Sequence, residues 1–199
     1  MKRALLFVLF SLFSSSAFPQ FSPLVEKVTA DKDNFRYQET IVTVERLAVM
    51  RGTLWLPVGQ SKVSPPYKLA IANHGSQDNG SHFSKSDPGY SGFVAGLLKM
   101  GMAVLTPYRT GFSAGELPRS LVSPESTEPV SCDVDSSQGL ASAVTDVKTY
   151  LKVVLERKDI SKEGVFFTGF SRGGMVALEM AADGYPGISI SGVVNAAGR

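Results

Sequence analysis

Apolar positions recur along the chain with two different periods, and the period marks the element. Glu39-Thr40-Ile41-Val42-Thr43-Val44-Glu45 alternates polar and apolar residues, the mark of a half-buried strand. Gly52-Thr53-Leu54-Trp55-Leu56-Pro57 reads as a second strand, close enough to pair antiparallel with the first. Ser64-Pro65-Pro66 is a turn. Lys68-Leu69-Ala70-Ile71-Ala72-Asn73 is apolar without alternation, which predicts a strand buried on both faces. Phe93, Val94, Leu97 and Leu98 are spaced for a helix that ends at Gly101, and Met102 to Thr106 reads as a strand. Leu140, Val144, Val147, Leu151 and Val154 lie on one helical stripe and predict an amphipathic helix from about Asp135 to Arg157. Gly164 to Thr168 is β-branched and aromatic, Met175 to Ala182 has helical composition, and Ile188 to Asn195 is a last strand. Between these elements lie an irregular arm, Phe18 to about Asn34, and a long Pro-, Ser- and Gly-rich loop, Pro107 to Cys132. Loops of that length in a compact domain are usually functional or mobile.

Strands alternating with helices predict an α/β fold, with a mostly parallel sheet flanked by helices. Ligand sites on such sheets lie outside the carboxyl ends of the strands. Three segments are expected to share that edge: His74-Gly75-Ser76, the loop from Arg109 to Gly115, and Ser171.

Composition narrows the setting. The 199 residues are enough for one domain with a real core, and 43% of them are hydrophobic, a globular proportion. Met1-Lys2-Arg3 followed by the apolar run Ala4 to Phe13 and the small residues Ser14 to Ala17 reads as a signal peptide over residues 1–17. The remainder, 18–199, would be one secreted or periplasmic domain. The apolar run is too short to span a membrane as a mature helix, so stable membrane insertion is not expected. Removing Lys2 and Arg3 from the 20 basic residues leaves 18, equal to the 18 acidic ones, so the mature chain is near neutral. No basic stretch tracks a phosphate backbone, which argues against a nucleic-acid partner. No metal or nucleotide motif is present, so no cofactor is expected. Cys132 is the single cysteine. It is either a buried thiol or one half of a bridge to sequence elsewhere.

Gly169-Phe170-Ser171-Arg172-Gly173-Gly174 joins the predicted strand and helix through a sharp turn with serine at its apex. A nucleophile elbow needs this arrangement, with small residues two before and two after the serine. Gly111-Phe112-Ser113-Ala114-Gly115 fits the same short pattern after a strand, but Pro118 stops any helix there. Ser113 is therefore a loop residue near the site. A serine nucleophile needs backbone donors for the oxyanion. The N–H of Arg172 follows Ser171 directly, and the N–H of Ser76 is the expected second donor, with Gly75 letting the backbone approach. His74 reads as a histidine bracing this loop rather than as a base or metal ligand, because neither cysteines nor clustered carboxylates accompany it. The Arg172 side chain either points at the substrate or pairs with a carboxylate.

The elbow, the His74-Gly75-Ser76 loop and their order resemble the α/β-hydrolase superfamily. Tyr108 to Gly115 resembles the Arg-Gly-x-Gly-x-Ser-x-Gly loop of secreted dienelactone-hydrolase-like members, and Gly192 to Gly198 resembles their sixth strand. The resemblance covers about Glu39 to Arg199. It implies hydrolysis of small-molecule esters, lactones or amides through an acyl-enzyme on Ser171. Dienelactone hydrolases proper use cysteine at this position, so the serine favours esterase or peptidase-like chemistry. The superfamily order places an acid and then a histidine after the serine. Here both histidines, His74 and His82, precede Ser171, and Glu179 and Asp183 lie on the helix after the elbow. The expectation is therefore a chain lacking the last two strands and helices of the resembled fold, with the acid and the base outside it. Such a chain would have little turnover and an exposed last strand prone to self-association. Three other readings remain: His82 as an unusual base, a binding module that keeps the fold without the chemistry, and a surface glycoprotein modified at Asn79-Gly80-Ser81.

Overall fold

A computed structural model describes residues 29–30, 36–46, 49–59, 63–75, 88–110 and 137–196. Seven strands form one sheet: β1 (Thr29–Ala30), β2 (Arg36–Glu45), β3 (Val49–Pro57), β4 (Leu69–Asn73), β5 (Ala103–Thr106), β6 (Val165–Phe170) and β7 (Ile190–Ala196). The helices among the described residues are α1 (Pro88–Lys99), α2 (Ser137–Val154) and α3 (Arg172–Asp183). The order across the sheet is β1-β2-β3-β5-β4-β6-β7. The pairs β1–β2, β2–β3 and β3–β5 are antiparallel, while β5–β4, β4–β6 and β6–β7 are parallel. Strand β2 thus runs with the parallel group and β3 against it.

The predicted elements are found with shifted ends. Strand β2 begins at Arg36 and β3 at Val49, both earlier than the alternation announced, because hairpin pairing runs on from Tyr37↔Pro57 to Glu45↔Val49. Within the expected irregular arm, Thr29 and Ala30 pair with Tyr37 and Arg36. Helix α2 is bounded at Ser137 and Val154, and β7 at Ile190 and Ala196. Helix α1 ends at Lys99, and the chain reverses at Gly101 (φ 83°). The signal segment 1–17, most of the 107–132 loop, Ser76, His82, Ser113 and Cys132 lie outside the described residues.

The continuous apolar run of β4 resolves into two faces. Leu69 and Ile71 join the larger core, which is built with α2 and α3; Ala70 and Ala72 join the smaller one under α1. Strand β5 divides in the same way, with Ala103 and Leu105 on one side and Val104 on the other. Every residue of β4 and β5 is buried, which is why neither run alternates.

Strands β4 and β6 are neighbours, yet their connections diverge. From β4 the chain moves to β5 on one side, and from β6 it moves to β7 on the other. The crevice at such a reversal is where an open α/β sheet holds ligands. Here its walls are the segment after Asn73 and the segment after Phe170. Strand β7 ends the sheet, and Val194 on it is half exposed.

Candidate active site

Ser171 stands between β6 and α3 with φ 52° and ψ −127°. Among the described residues no other non-glycine residue has positive φ. Holding a serine there costs on the order of 1–3 kcal/mol, so the surroundings must impose it. They do so through backbone contacts. The Ser171 N–H donates to the Ala196 carbonyl at the end of β7 (2.8 Å), and the Ser171 carbonyl accepts from the Gly174 N–H (2.8 Å). A Cβ on Gly169 would overlap the Gly173 carbonyl, and one on Gly173 would overlap the carbonyls of Asn73 and His74. Strand, turn and helix therefore meet with backbone against backbone.

Ser171 occupies the N-cap position of α3, where a serine normally accepts a hydrogen bond from a first-turn amide. Its side chain makes no such bond. The first turn of α3 carries no acidic residue, so the helix dipole there is not offset by a local carboxylate.

The loop after β4 lies directly against this turn. A Cβ on Gly75 would sit 3.3 Å from the Ser171 Cβ and 3.2 Å from the Phe170 carbonyl. His74, 1% exposed, fixes the loop from inside. Its Nδ1 lies 2.8 Å from the Gly75 carbonyl, and its Nε2 accepts from the Arg109 N–H at 3.4 Å. That pairing assigns the proton to Nδ1. The Arg109 guanidinium, fully buried, donates from Nη1 to the His74 carbonyl (2.9 Å). The Tyr108 ring lies beside the imidazole, with centroids 6.0 Å apart.

Residues 108–110 are in turn gripped by α2. Tyr150 Oη donates to the Tyr108 carbonyl (2.9 Å), and the Thr110 N–H donates to Asp146 Oδ2 (2.8 Å). Asp146 Oδ1 pairs with Arg46 Nε, and Arg46 Nη2 donates to Ser142 Oγ (2.6 Å).

Solved structures share this architecture. The rice cell wall degrading esterase LipA from Xanthomonas oryzae aligns with a TM-score of 0.54 and 19% identity, over 81% of this chain and 42% of its own. Acetyl xylan esterase 1 from Thermoanaerobacterium sp. JW/SL YS485 gives 0.56 and 17%, over 90% and 53%. A glucuronoyl esterase from Solibacter usitatus gives 0.51 and 17%, over 86% and 51%. The fold is that of the α/β-hydrolases. The chain spans about half the length of these structures. No protein-family model matches it, and no curated protein sequence matches it.

In this α/β-hydrolase fold the sequence-derived residues fall as follows. Ser171, Arg172, His74, Gly75 and Arg109 converge at the carboxyl edge of β4, β5 and β6. Glu179 and Asp183 are exposed on α3, and Asp183 pairs with Lys148 at 3.0 Å. Among the described residues no group of three His, Cys, Asp or Glu side chains comes together as a metal site, and no helix is long and apolar enough to cross a membrane. Sequence reasoning passed over Asp146, Tyr150 and Arg46. One signal was available: Asp146 falls between Ala143 and Tyr150 on the apolar stripe of α2, where an unpaired carboxylate would be costly.

Burial, reinforced by the Arg109 charge, holds the His74 imidazole well below the usual histidine range. The hydrogen bond to the Gly75 carbonyl opposes this only in part. The folded state refuses a proton that the unfolded chain accepts below about pH 6.5. Stability is therefore fully present above that pH and falls as the solution is acidified towards the folded-state pKa, by up to about 1.4 kcal/mol per pH unit. Urea midpoints at pH 7.5, 6.5 and 5.5 should decline in the native chain. They should decline much less in His74→Gln, and equal slopes would refute the assignment.

Proposed function

We propose that this chain carries the nucleophile and oxyanion elements of a serine hydrolase for small carboxylic esters, with Ser171 as the residue acylated. The observation that carries the reading is a serine held at positive φ, at a helix N-cap, with its hydroxyl not used as the cap. A scaffold gains nothing from that strain; a nucleophile gains exposure at the sheet edge. Ser171 Oγ would add to the ester carbonyl carbon while its proton passes to a base. The oxyanion would be held by the N–H of Arg172 and the N–H of Ser76, beside the closely approaching Gly75. Collapse would expel the alcohol, protonated on leaving, and leave the acyl group on Ser171 for water to remove.

His74 is a poor base for this step. Its Nδ1 proton is directed at the Gly75 carbonyl, and its Nε2 accepts from Arg109. With His74 committed, slow acylation is expected to exceed turnover. The loop from Tyr108 to Gly115 favours a place beside secreted dienelactone-hydrolase-like proteins, and the serine favours esters over dienelactones. The esterase names of the structural neighbours support ester substrates as a class.

The test is covalent labelling. A fluorophosphonate is expected to modify the purified chain once, and peptide mapping should place the adduct on Ser171. Ser171→Ala should lower labelling by at least about 100-fold at an unchanged unfolding temperature. An adduct on Ser113, or undiminished labelling of Ser171→Ala, would refute the assignment. A folded chain that takes no label would instead favour the binding-module reading.

A further inference from the structure

We infer that Asp146, a residue of α2 outside the reacting groups, is a positioning residue that sets the oxyanion loop against Ser171. The inference rests on the reading of Ser171 given above, and it follows an unbroken series of contacts. The Asp146 carboxylate, 1% exposed, accepts the Thr110 N–H at 2.8 Å. The preceding residue, Arg109, holds His74 twice, from its own N–H to Nε2 and from Nη1 to the carbonyl. The His74 carbonyl lies against Gly173, and Gly75 lies against Ser171. The Asp146 side chain thus holds one end of a run of contacts that passes through Thr110, Arg109, His74 and Gly75 to Ser171.

The rest of the surroundings suit this role. Arg46 reaches both Asp146 and Ser142, which fixes the carboxylate rotamer and balances its charge. Tyr150, one turn further along α2, secures the Tyr108 carbonyl, so residues 108 and 110 are held from the same helix face. A purely structural ion pair would need only Arg46 and Asp146. The second carboxylate oxygen is instead given to the buried backbone amide of Thr110, next to Arg109. Backbone donors for an oxyanion act only within a narrow distance range, and a displacement of about 1 Å costs on the order of 100-fold in rate.

Asp146→Asn separates the roles. It keeps the shape of the side chain but removes the charge that holds Arg46, so the amide can satisfy Thr110 or Arg46 but not both in the native manner. Two readouts are compared with wild type and with Leu151→Ala, a core truncation on the same helix. The first is fluorophosphonate labelling of Ser171, resolved into binding and inactivation constants well below the unfolding temperature. The second is the ¹⁵N spectrum of the His74 ring, which reports the tautomer and the bond to Arg109 without requiring any reaction.

The expected result for Asp146→Asn is a fall of about 10- to 100-fold in the inactivation constant, little change in binding, and shifted His74 resonances. Leu151→Ala should lower the unfolding temperature without moving either readout. Asp146→Glu should recover part of the loss. If Asp146→Asn does not fold, Arg46→Lys should show the same changes at smaller amplitude. His74 resonances that stay in place would overturn the inference, whatever the labelling does. Should wild type itself take no label at Ser171, the proposed chemistry fails, and the His74 spectrum alone decides whether Asp146 positions the loop.

Discussion

Gly173→Ala is expected to destabilise the chain by at least about 3 kcal/mol, a large part of the 5–15 kcal/mol typical of a domain. Overpacking a core with a methyl group usually costs about 1–3 kcal/mol, because neighbouring side chains can turn aside. Here the new methyl would overlap the carbonyl oxygens of Asn73 and His74, and both are backbone. Strand β4 cannot retreat, since it pairs with β5 on one edge and β6 on the other. Helix α3 cannot retreat either without pulling Ser171 from the Ala196 carbonyl. Gly96→Ala on α1 is the matched control. Nothing lies within 4 Å of a Cβ there, and helix propensity favours alanine by about 1 kcal/mol. Denaturant midpoints should fall sharply for the first variant and hold or rise for the second. Equal midpoints would mean that the turn and β4 are not in backbone contact.

Phe167→Ala is expected to cost about 3–5 kcal/mol, and Phe166→Ala about 1 kcal/mol or less. The two phenylalanines are adjacent in β6, so their side chains point to opposite faces of the sheet. Phe167 is fully buried in the larger core, whereas Phe166 is partly exposed at the margin of the smaller one. The penalty for truncation grows with the apolar surface taken out of the core and with the cavity left behind. At Phe167 both are maximal, because the α2 and α3 side closes over it. Unfolding free energies from urea titration would measure the difference, and similar losses at the two positions would reverse the assignment of faces.

That pair shows where the sequence stops being informative. The run Val165-Phe166-Phe167 is apolar throughout, so it announces a buried strand but not which face meets the thicker layer. The tight turn at Ser171 was legible for the opposite reason. Backbone can approach backbone only at glycine, so the need for Gly169 and Gly173 is written in the residues themselves. Strand order was hidden, because no local pattern says that β5 lies outside β4. Asp146 was legible only in part. Its place on the apolar stripe of α2 says that the carboxylate needs a partner, but not that the partners are Arg46 and Thr110, far away in the chain. The sequence marks Arg109 only as a member of a loop near the site. Its full burial, and its double hold on His74, follow only from the convergence of β4 and β5.

The pairing of β4 with β6 also bears on the order of assembly. Strands β2 and β3 are neighbours in sequence, and their hairpin closes over a short connection. The site has no such local origin. The Asn73 amide meets the Thr168 carbonyl across 95 residues of chain, and Asn73 pairs with Gly169 in register. The entropy of closing that loop must be met before either wall of the crevice has a partner. During synthesis, the Gly75 backbone therefore has no turn to lie against until Ser171 has emerged. The hairpin can be an early event of folding, and the corner where Gly75 meets Ser171 is among the last.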